Sequence, residues 1–156
     1  MSKLLTLISS DSVKIQIDSK SAERSALLKG LIQDYSEDSE IAMHDVKGDV
    51  LKKVVEYLSH WSSNEPKEIP RPLPSNNLKE AADEWDAEFI DSVDLDTVFD
   101  IINTANYMDI KPLLDLSCAK VASIMKGKSS EEIRQIFNIE CDLTEEELKE
   151  YEEYQI

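Results

Sequence analysis

The chain has 156 residues, of which 41% are hydrophobic and 32% are charged, so its length and composition suit one domain with a buried core. Its 33 acidic residues outnumber its 17 basic ones and give a formal net charge of −16, which argues against nucleic acid or an anionic membrane surface as the main partner. Most of the excess lies after residue 75, which predicts an acidic face or tail.

The first third of the chain predicts a small mixed α/β unit. An apolar run at 4–8, a turn and an alternating run at 13–18 have the pattern of two strands joined as a hairpin. The period becomes helical over 21–33, and residues 41–43 predict a third short strand. Residues 49–61 then have one apolar stripe opposite a charged one, which is typical of an amphipathic helix.

Residues 62–80 carry four prolines and predict an extended linker or loop, because proline removes backbone donors and disfavours helix in the preceding residue. The pattern after this loop is helical throughout. Asp94 and Asp109 are predicted N-caps, and Gly127 fits the position just after a helix end. Capping boxes at 129–132 and 144–147 predict two further helices.

Residues 113–125 are apolar almost all the way round the helix that they predict. Such a helix is normally buried on all sides. Two interpretations stay open: a central core helix, or a helix with one face that, together with part of the last two helices, awaits a partner.

Catalytic and metal-binding patterns are weak in this sequence. His44 and His60 are too isolated for a zinc site or a catalytic triad, and the S-x-x-K match at 117–120 lacks the other elements of that acyl-transfer motif. Residues 80–100 hold nine acids and no base, which we interpret as a solvated face. We therefore predict a binding module without a catalytic site, a cofactor or a metal.

Several segments nevertheless match one family in order along the chain. Residues 105–115, which read ANYMDIKPLLD, resemble a segment of the Skp family, the adaptors of Skp–cullin–F-box ubiquitin ligases. Residues 121–128 (VASIMKGK) and 130–134 (SEEIR) continue the resemblance in register, and WDAEF at 85–89 and AERSALLK at 22–29 are similar to upstream family segments.

The resemblance implies an α/β fold: a BTB/POZ-type domain over residues 1–126, followed by a C-terminal helical extension over 127–156. Residues 94–126 and the extension would together form an F-box-binding surface. The implied function is a non-catalytic bridge between a cullin and F-box substrate receptors, with a RING subunit and a ubiquitin-conjugating enzyme as indirect partners. We expect a cytoplasmic and nuclear protein.

The resemblance also implies the contact residues. Asn106 and Tyr107 match the cullin-contacting pair. The residues that match positions near the F-box are Val98, Phe99, Leu114, Leu116, Val121, Ile124, Met125, Phe137, Ile139, Leu148 and Tyr151. Internal packing stays open as the alternative for every residue of both sets.

Other readings of the family resemblance also stay open. The chain could be an F-box-binding structural subunit outside ligases, for example in kinetochore assembly. An elongin-like adaptor is disfavoured because 127–156 continue beyond the core that the two kinds of adaptor share. For the free chain, homodimerisation and loose final helices are both open.

Overall fold

A computed structural model describes residues 4–34, 40–70, 73–74, 77–138 and 144–147. Three strands form one sheet, with β1 (Leu4–Ile8) between β2 (Lys14–Asp18) and β3 (Glu40–Ala42). β1 is antiparallel to β2 and parallel to β3, and Leu7 lies opposite both Ile15 and Ile41. The structure thus confirms the hairpin, the third strand and the mixed α/β class.

Seven α-helices have both ends within the described residues. They are α1 (Ser19–Ala22), α2 (Ala26–Ile32), α3 (Gly48–His60), α4 (Glu84–Asp91), α5 (Leu95–Met108), α6 (Lys111–Met125) and α7 (Ser130–Phe137). The chain divides into two compact units, Met1–Ile124 and Met125–Ile156. Among the described residues, no helix combines the length and the apolar character that a bilayer crossing requires.

The single helix predicted over 21–33 is wrong, because the structure has two short helices there. Ser25 begins the second one: its hydroxyl accepts a 3.3 Å hydrogen bond from Leu28 N and donates one of 2.5 Å to the Met108 carbonyl oxygen. The break therefore depends on a tertiary contact with the end of α5.

Asp109 is not the N-cap that the sequence predicts. It adopts a left-handed conformation with φ of 53° and ends α5, while the N–H of Ile110 donates to the Ala105 carbonyl oxygen over 2.9 Å. Asn and Asp tolerate this conformation better than most residues, so the same side chain that suits an N-cap also suits a helix end.

The other predicted caps are confirmed. Asp94 accepts a 2.8 Å hydrogen bond from Thr97 N at the start of α5, and Gly127 has a φ of 77° after α6. Ser129 and Glu132 form a capping box, as do Thr144 and Glu147. These caps depend on side chains within three residues of each other, which is why sequence alone predicts them.

The described part of 62–80 has no strand and no α-helix, as predicted, but ends in a 3₁₀ turn at Leu78–Glu80. The loop is tied to the start of α4, because the backbone N–H of Lys67 donates to Asp83 Oδ2 over 2.6 Å.

The core of the first unit lies between the sheet and the helices. α3 contributes Leu51, Val54 and Leu58, all fully buried, and packs against both the sheet and α5. The inner faces of α5 and α6 add side chains to the same cluster, including Ile101 and Leu113. These buried contacts fix the orientation of α5 and α6 and thereby determine which of their side chains face away from the core.

Candidate partner-binding surfaces

The last turn of α5 presents the two residues predicted to contact a cullin. Asn106 and Tyr107 are both exposed, and Tyr107 retains 49% of its accessible surface. Their neighbours Ala105 and Met108 are fully buried and hold the turn against the core. An exposed aromatic side chain on a rigid helix end is suited to contact a partner, because little entropy is lost when it is buried.

A cavity of about 210 Å³ lies beside Tyr107. We call it the Tyr107 cavity, and its lining residues are Asp45, Val46, Lys47, Val50, Asp100, Asn103, Thr104 and Tyr107. No motif in the sequence predicts this cavity. Residues 100, 103, 104 and 107 recur at helical spacing, so the sequence could have predicted that they share one face of α5. The opposite wall of the cavity comes from residues 45–50, and only tertiary packing brings that segment beside α5.

Asn106 lies on a neighbouring side of α5. It follows Phe99 and Ile102 at intervals of seven and four residues, which places the three along one line of the helix. Phe99 retains 38% of its surface, and Ile102 is half-buried. The outer side of α5 therefore changes from polar and aromatic around Tyr107 to apolar around Phe99.

The helix α6 is not buried on all sides, which corrects the first interpretation of its apolar pattern. Its inner face carries the buried residues Leu113, Leu116 and Ser117. Its outer face is an apolar stripe of exposed and half-buried side chains at helical spacing, and we call this the α6 stripe: Leu114, Cys118, Val121, Ala122 and Met125. Met125 retains 39% of its surface.

Two of the predicted F-box contacts are buried in the structure, as the alternative of internal packing predicts. Val98 and Leu116 are 0% and 1% exposed and belong to the core cluster, so in this conformation they support the surface from inside. Phe99 and Met125 are exposed, as already described. Leu114, Val121 and Ile124 are half-buried.

The remaining predicted F-box contacts fall on the second unit. Phe137 is half-buried on α7, which also exposes Ile136. Ile139, Leu148 and Tyr151 lie outside the described residues. The structure thus places Phe99, Met125, Leu114 and Val121 at the outer sides of α5 and α6, whereas Ile124 follows the buried Ser117 by seven residues and lies on the inner side of α6.

The groups tested for chemistry have other roles. The Ser117 hydroxyl is buried and donates to the Leu113 carbonyl oxygen over 2.8 Å, while Lys120 Nζ lies 2.6 Å from Asp91 Oδ1. Ser117 and Lys120 are therefore each engaged with another group. Among the described residues, no group of His, Cys, Asp and Glu is arranged to hold a metal ion.

The acidic run at 80–100 is a solvated face with one exception. Asp86 is 2% exposed, and its Oδ1 accepts a 2.7 Å hydrogen bond from Trp61 Nε1. His60 stacks on Trp85 with ring centroids 3.7 Å apart. The rings of His60, Trp61 and Trp85 therefore lie together between the end of α3 and the start of α4. The prediction for this run is therefore wrong at Asp86, where packing of α4 on α3 turns the carboxyl inward.

Comparison with known proteins adds the following similarities. Residues 3–63 match the family model described as the Skp1 family tetramerisation domain, and residues 111–155 match that of the Skp1 family dimerisation domain. The chain is 44% identical over 141 residues to an S-phase kinase-associated protein 1 homolog of Tetrahymena thermophila, which covers 90% of this chain and 85% of the relative.

Fungal relatives are similar to the same degree. The chain is 45% identical over 144 residues to the E3 ubiquitin ligase complex SCF subunit sconC of Arthroderma otae, covering 92% of this chain and 87% of the relative. It is 45% identical over 148 residues to the subunit of the same name in Talaromyces marneffei, covering 94% and 91%. These similarities extend over α5 and α6 as well as the sheet.

Proposed function

This chain belongs to the Skp1 family, and from that premise we propose that it is a non-catalytic adaptor that joins a cullin to F-box substrate receptors in an SCF-type ubiquitin ligase. The observation that carries the proposal is the pair of outer surfaces on α5 and α6, which present aromatic and apolar side chains on a chain of net charge −16.

The cullin contact that we propose centres on Asn106 and Tyr107. Tyr107 offers a ring held by a rigid helix, and Asn106 offers an amide that can fix the register of a partner helix. The Tyr107 cavity adds a recess with both charged and apolar walls, which suits one inserted side chain of the partner.

The F-box contact that we propose centres on Phe99 and the α6 stripe. This surface resembles the hydrophobic grooves that take up an amphipathic helix, since its anchors recur at helical spacing. Phe137, Ile139, Leu148 and Tyr151 are proposed to complete the contact from the C-terminal extension. A RING subunit and a ubiquitin-conjugating enzyme would join through the cullin.

The charge distribution supports this arrangement. Residues 140–156 hold eight acids and one Lys, and this charge would keep the uncovered surface soluble and favour partners with basic surfaces. We also propose that the free chain forms a homodimer, through the BTB surface or the C-terminal region, when no receptor covers its apolar face. The proposed location is the cytoplasm and the nucleus.

Co-purification of the full chain, with partners identified by mass spectrometry, tests the function. Two reciprocal variants make the test specific. Asn106→Ala combined with Tyr107→Ala should lose the cullin and keep F-box proteins, whereas Phe99→Ala combined with Met125→Ala should weaken F-box binding and keep the cullin. All four positions are exposed, so both variants should remain folded.

The outcomes separate the alternatives. If both double variants retain both partners, the site assignment is wrong. If the wild-type chain captures F-box proteins without any cullin, the reading as a structural subunit outside ligases replaces the adaptor proposal.

A further inference from the structure

The Tyr107 cavity carries a carboxylate on each of its two walls. Asp45 belongs to the segment that leads into α3, whereas Asp100 belongs to α5. Val46 and Val50 add apolar surface to the lining. With about 210 Å³, the cavity is smaller than the sites of drug-sized ligands, and this volume suits a single side chain.

Neither carboxylate is paired with a cation in the described part of the chain. The ion pairs between described residues do not include Asp45 or Asp100, and no side-chain hydrogen bond between those residues ends on either acid. Asp100 is half-buried, so water screens its charge less than that of an exposed acid. A cation that enters the cavity would therefore interact with it more strongly than with a surface carboxylate.

Thr104 adds a hydroxyl that also lacks a partner. The residue lines the cavity and is only 5% exposed, and no hydrogen bond between described residues involves its hydroxyl. It follows Asp100 by four residues on α5, so the two side chains share one face of the helix. Buried polar groups are normally hydrogen-bonded, and a ligand with N–H donors would supply the missing partner.

Lys47 is the only base in the lining among the described residues. It is exposed, it precedes the first residue of α3, and none of the ion pairs between described residues includes it. Its ammonium therefore leaves both carboxylates available. The lining holds two acids and one base, so its formal charge is −1, which favours a cation over an anion.

We propose that the Tyr107 cavity receives the guanidinium group of an arginine from the partner that binds over Tyr107. This inference rests on the proposed function, in which that partner is the cullin. The carboxylates of Asp45 and Asp100 balance the charge, and the Thr104 hydroxyl accepts a hydrogen bond from one N–H group. A planar guanidinium has five donors in a fork, so it can serve acceptors on both walls at once. The valines contact the apolar stem of the same side chain.

A small probe tests the cavity without any cullin. The ¹⁵N-labelled full chain is titrated with Nα-acetyl-arginine amide, and Nα-acetyl-citrulline amide, which has nearly the same shape without the charge, is the matched blank. The side-chain amide of Asn103, which lines the cavity, is the reporter, and Asn103→Ser assigns its resonances. The arginine probe alone should give a saturable shift. Equal shifts with both probes would overturn the proposal.

Three substitutions and a matched control identify the groups that hold the cation. Asp45→Asn and Asp100→Asn keep the shape and remove the charge, so each should weaken binding of the arginine probe. Lys47→Gln removes the competing cation and should tighten it. Glu88→Gln removes an exposed acid of α4 outside the lining and should leave the affinity unchanged.

Two results with these variants would contradict the site. One is equal affinity of the probe for wild type, Asp45→Asn and Asp100→Asn. The other is binding that appears only in Lys47→Gln, because the lysine of the chain itself would then neutralise the carboxylates.

Affinity for the cullin that co-purifies with the wild-type chain separates this inference from the function. Asp45→Asn combined with Asp100→Asn should weaken the full-length cullin at least roughly tenfold, the loss expected for a hydrogen bond between charged groups, whereas Glu88→Gln should not weaken it. Unchanged cullin affinity in the double variant would overturn the arginine contact and leave the adaptor proposal intact. If the wild-type chain captures no cullin, the adaptor proposal fails, and the probe titration alone decides whether the cavity binds a guanidinium.

Discussion

The carboxylate of Asp86 accepts a 2.7 Å hydrogen bond from the indole N–H of Trp61 and thereby joins α4 to the residue after α3. Asp86 lies in the middle of an acidic stretch whose pattern predicts a solvated face, yet it is buried. Burial raises its pKa to about 6, against the hydrogen bond from Trp61, and the nearby charge of Asp83 adds to the rise.

This carboxyl should make the stability of the protein depend on pH. Its folded-state pKa of about 6 exceeds the ordinary value of 3.8, so the folded state binds the proton more tightly. The contribution to folding is full below pH 3.8 and is lost as the pH rises through about 6. Asp86→Asn keeps an acceptor for Trp61 without the charge. It should raise the free energy of unfolding by up to about 3 kcal/mol near pH ~7.5 and by little near pH ~4.

Urea unfolding of wild type and Asp86→Asn at both pH values measures this difference. Glu88→Gln, an exposed acid on the same helix, should change stability by the same small amount at both pH values. An equal effect of Asp86→Asn at the two pH values would contradict the buried, titrating carboxyl.

Gly48 begins α3 at a point without room for a side chain. A Cβ there would lie 2.7 Å from Val13 Cγ2, while the N–H of Gly48 donates to Asp11 Oδ1 over 2.9 Å. Gly48→Ala should therefore lower the free energy of unfolding by about 1–3 kcal/mol through overpacking. Thermal and urea unfolding measure the loss.

Gly30 provides the matched control for this substitution. It lies inside α2, and a Cβ there meets nothing within 4 Å. Gly30→Ala should raise stability by about 0.5–1 kcal/mol, because alanine loses less backbone entropy in a helix. Equal effects of the two substitutions would mean that Val13 does not restrict Gly48.

Ser25 supports two helices at once. Its hydroxyl caps α2 and donates to the carbonyl oxygen of Met108, which belongs to the last turn of α5 and lacks a partner in the helix. Ser25→Ala should lower the free energy of unfolding by about 2 kcal/mol, since it removes a cap and leaves a buried carbonyl unpaired. Ser59→Ala, at an exposed position of α3, should change it by less than about 0.5 kcal/mol. Similar values for the two would contradict the tertiary role of Ser25.

The two faces of α6 should respond differently to truncation. Leu116→Ala creates a core cavity and should cost about 2–5 kcal/mol, while Met125→Ala on the outer face should cost less than about 1 kcal/mol. Binding of an F-box protein should show the opposite order, with Met125→Ala the weaker binder under conditions where both variants are folded. If folded Leu116→Ala lost the F-box protein and Met125→Ala kept it, the assignment of the α6 stripe would be wrong.

The elements that sequence predicted correctly depend on local patterns. The hairpin follows from two-residue alternation, α3 from its apolar stripe, and the caps at Asp94 and Ser129 from side chains three residues away from the N–H they accept from. Asp109 was wrong because one residue type serves both helix starts and helix ends. The break at Ser25 was missed because the contact that supports it comes from residue 108.

The candidate site, like the fold, could be predicted only in part from the sequence. Sequence resemblance predicts Asn106, Tyr107 and Phe99 as contacts, and the structure exposes all three on α5. It did not separate Val98 from Phe99, which are adjacent apolar residues of α5. It also did not separate Leu116 from Val121, because residues 113–125 are apolar around the whole helix and their pattern indicates no inward side. The Tyr107 cavity required a loop more than fifty residues away.

The sequence by itself therefore determined the mixed α/β class, the family and the helices that carry the proposed partner surfaces, because alternation, capping and family motifs depend on neighbouring residues. Only the tertiary structure decided which apolar side chains of α5 and α6 face outward. It also decided that one acid among nine is buried and that the Tyr57 hydroxyl lacks a partner among the described residues. Burial is set by what packs against each face, and those partners come from distant parts of the chain.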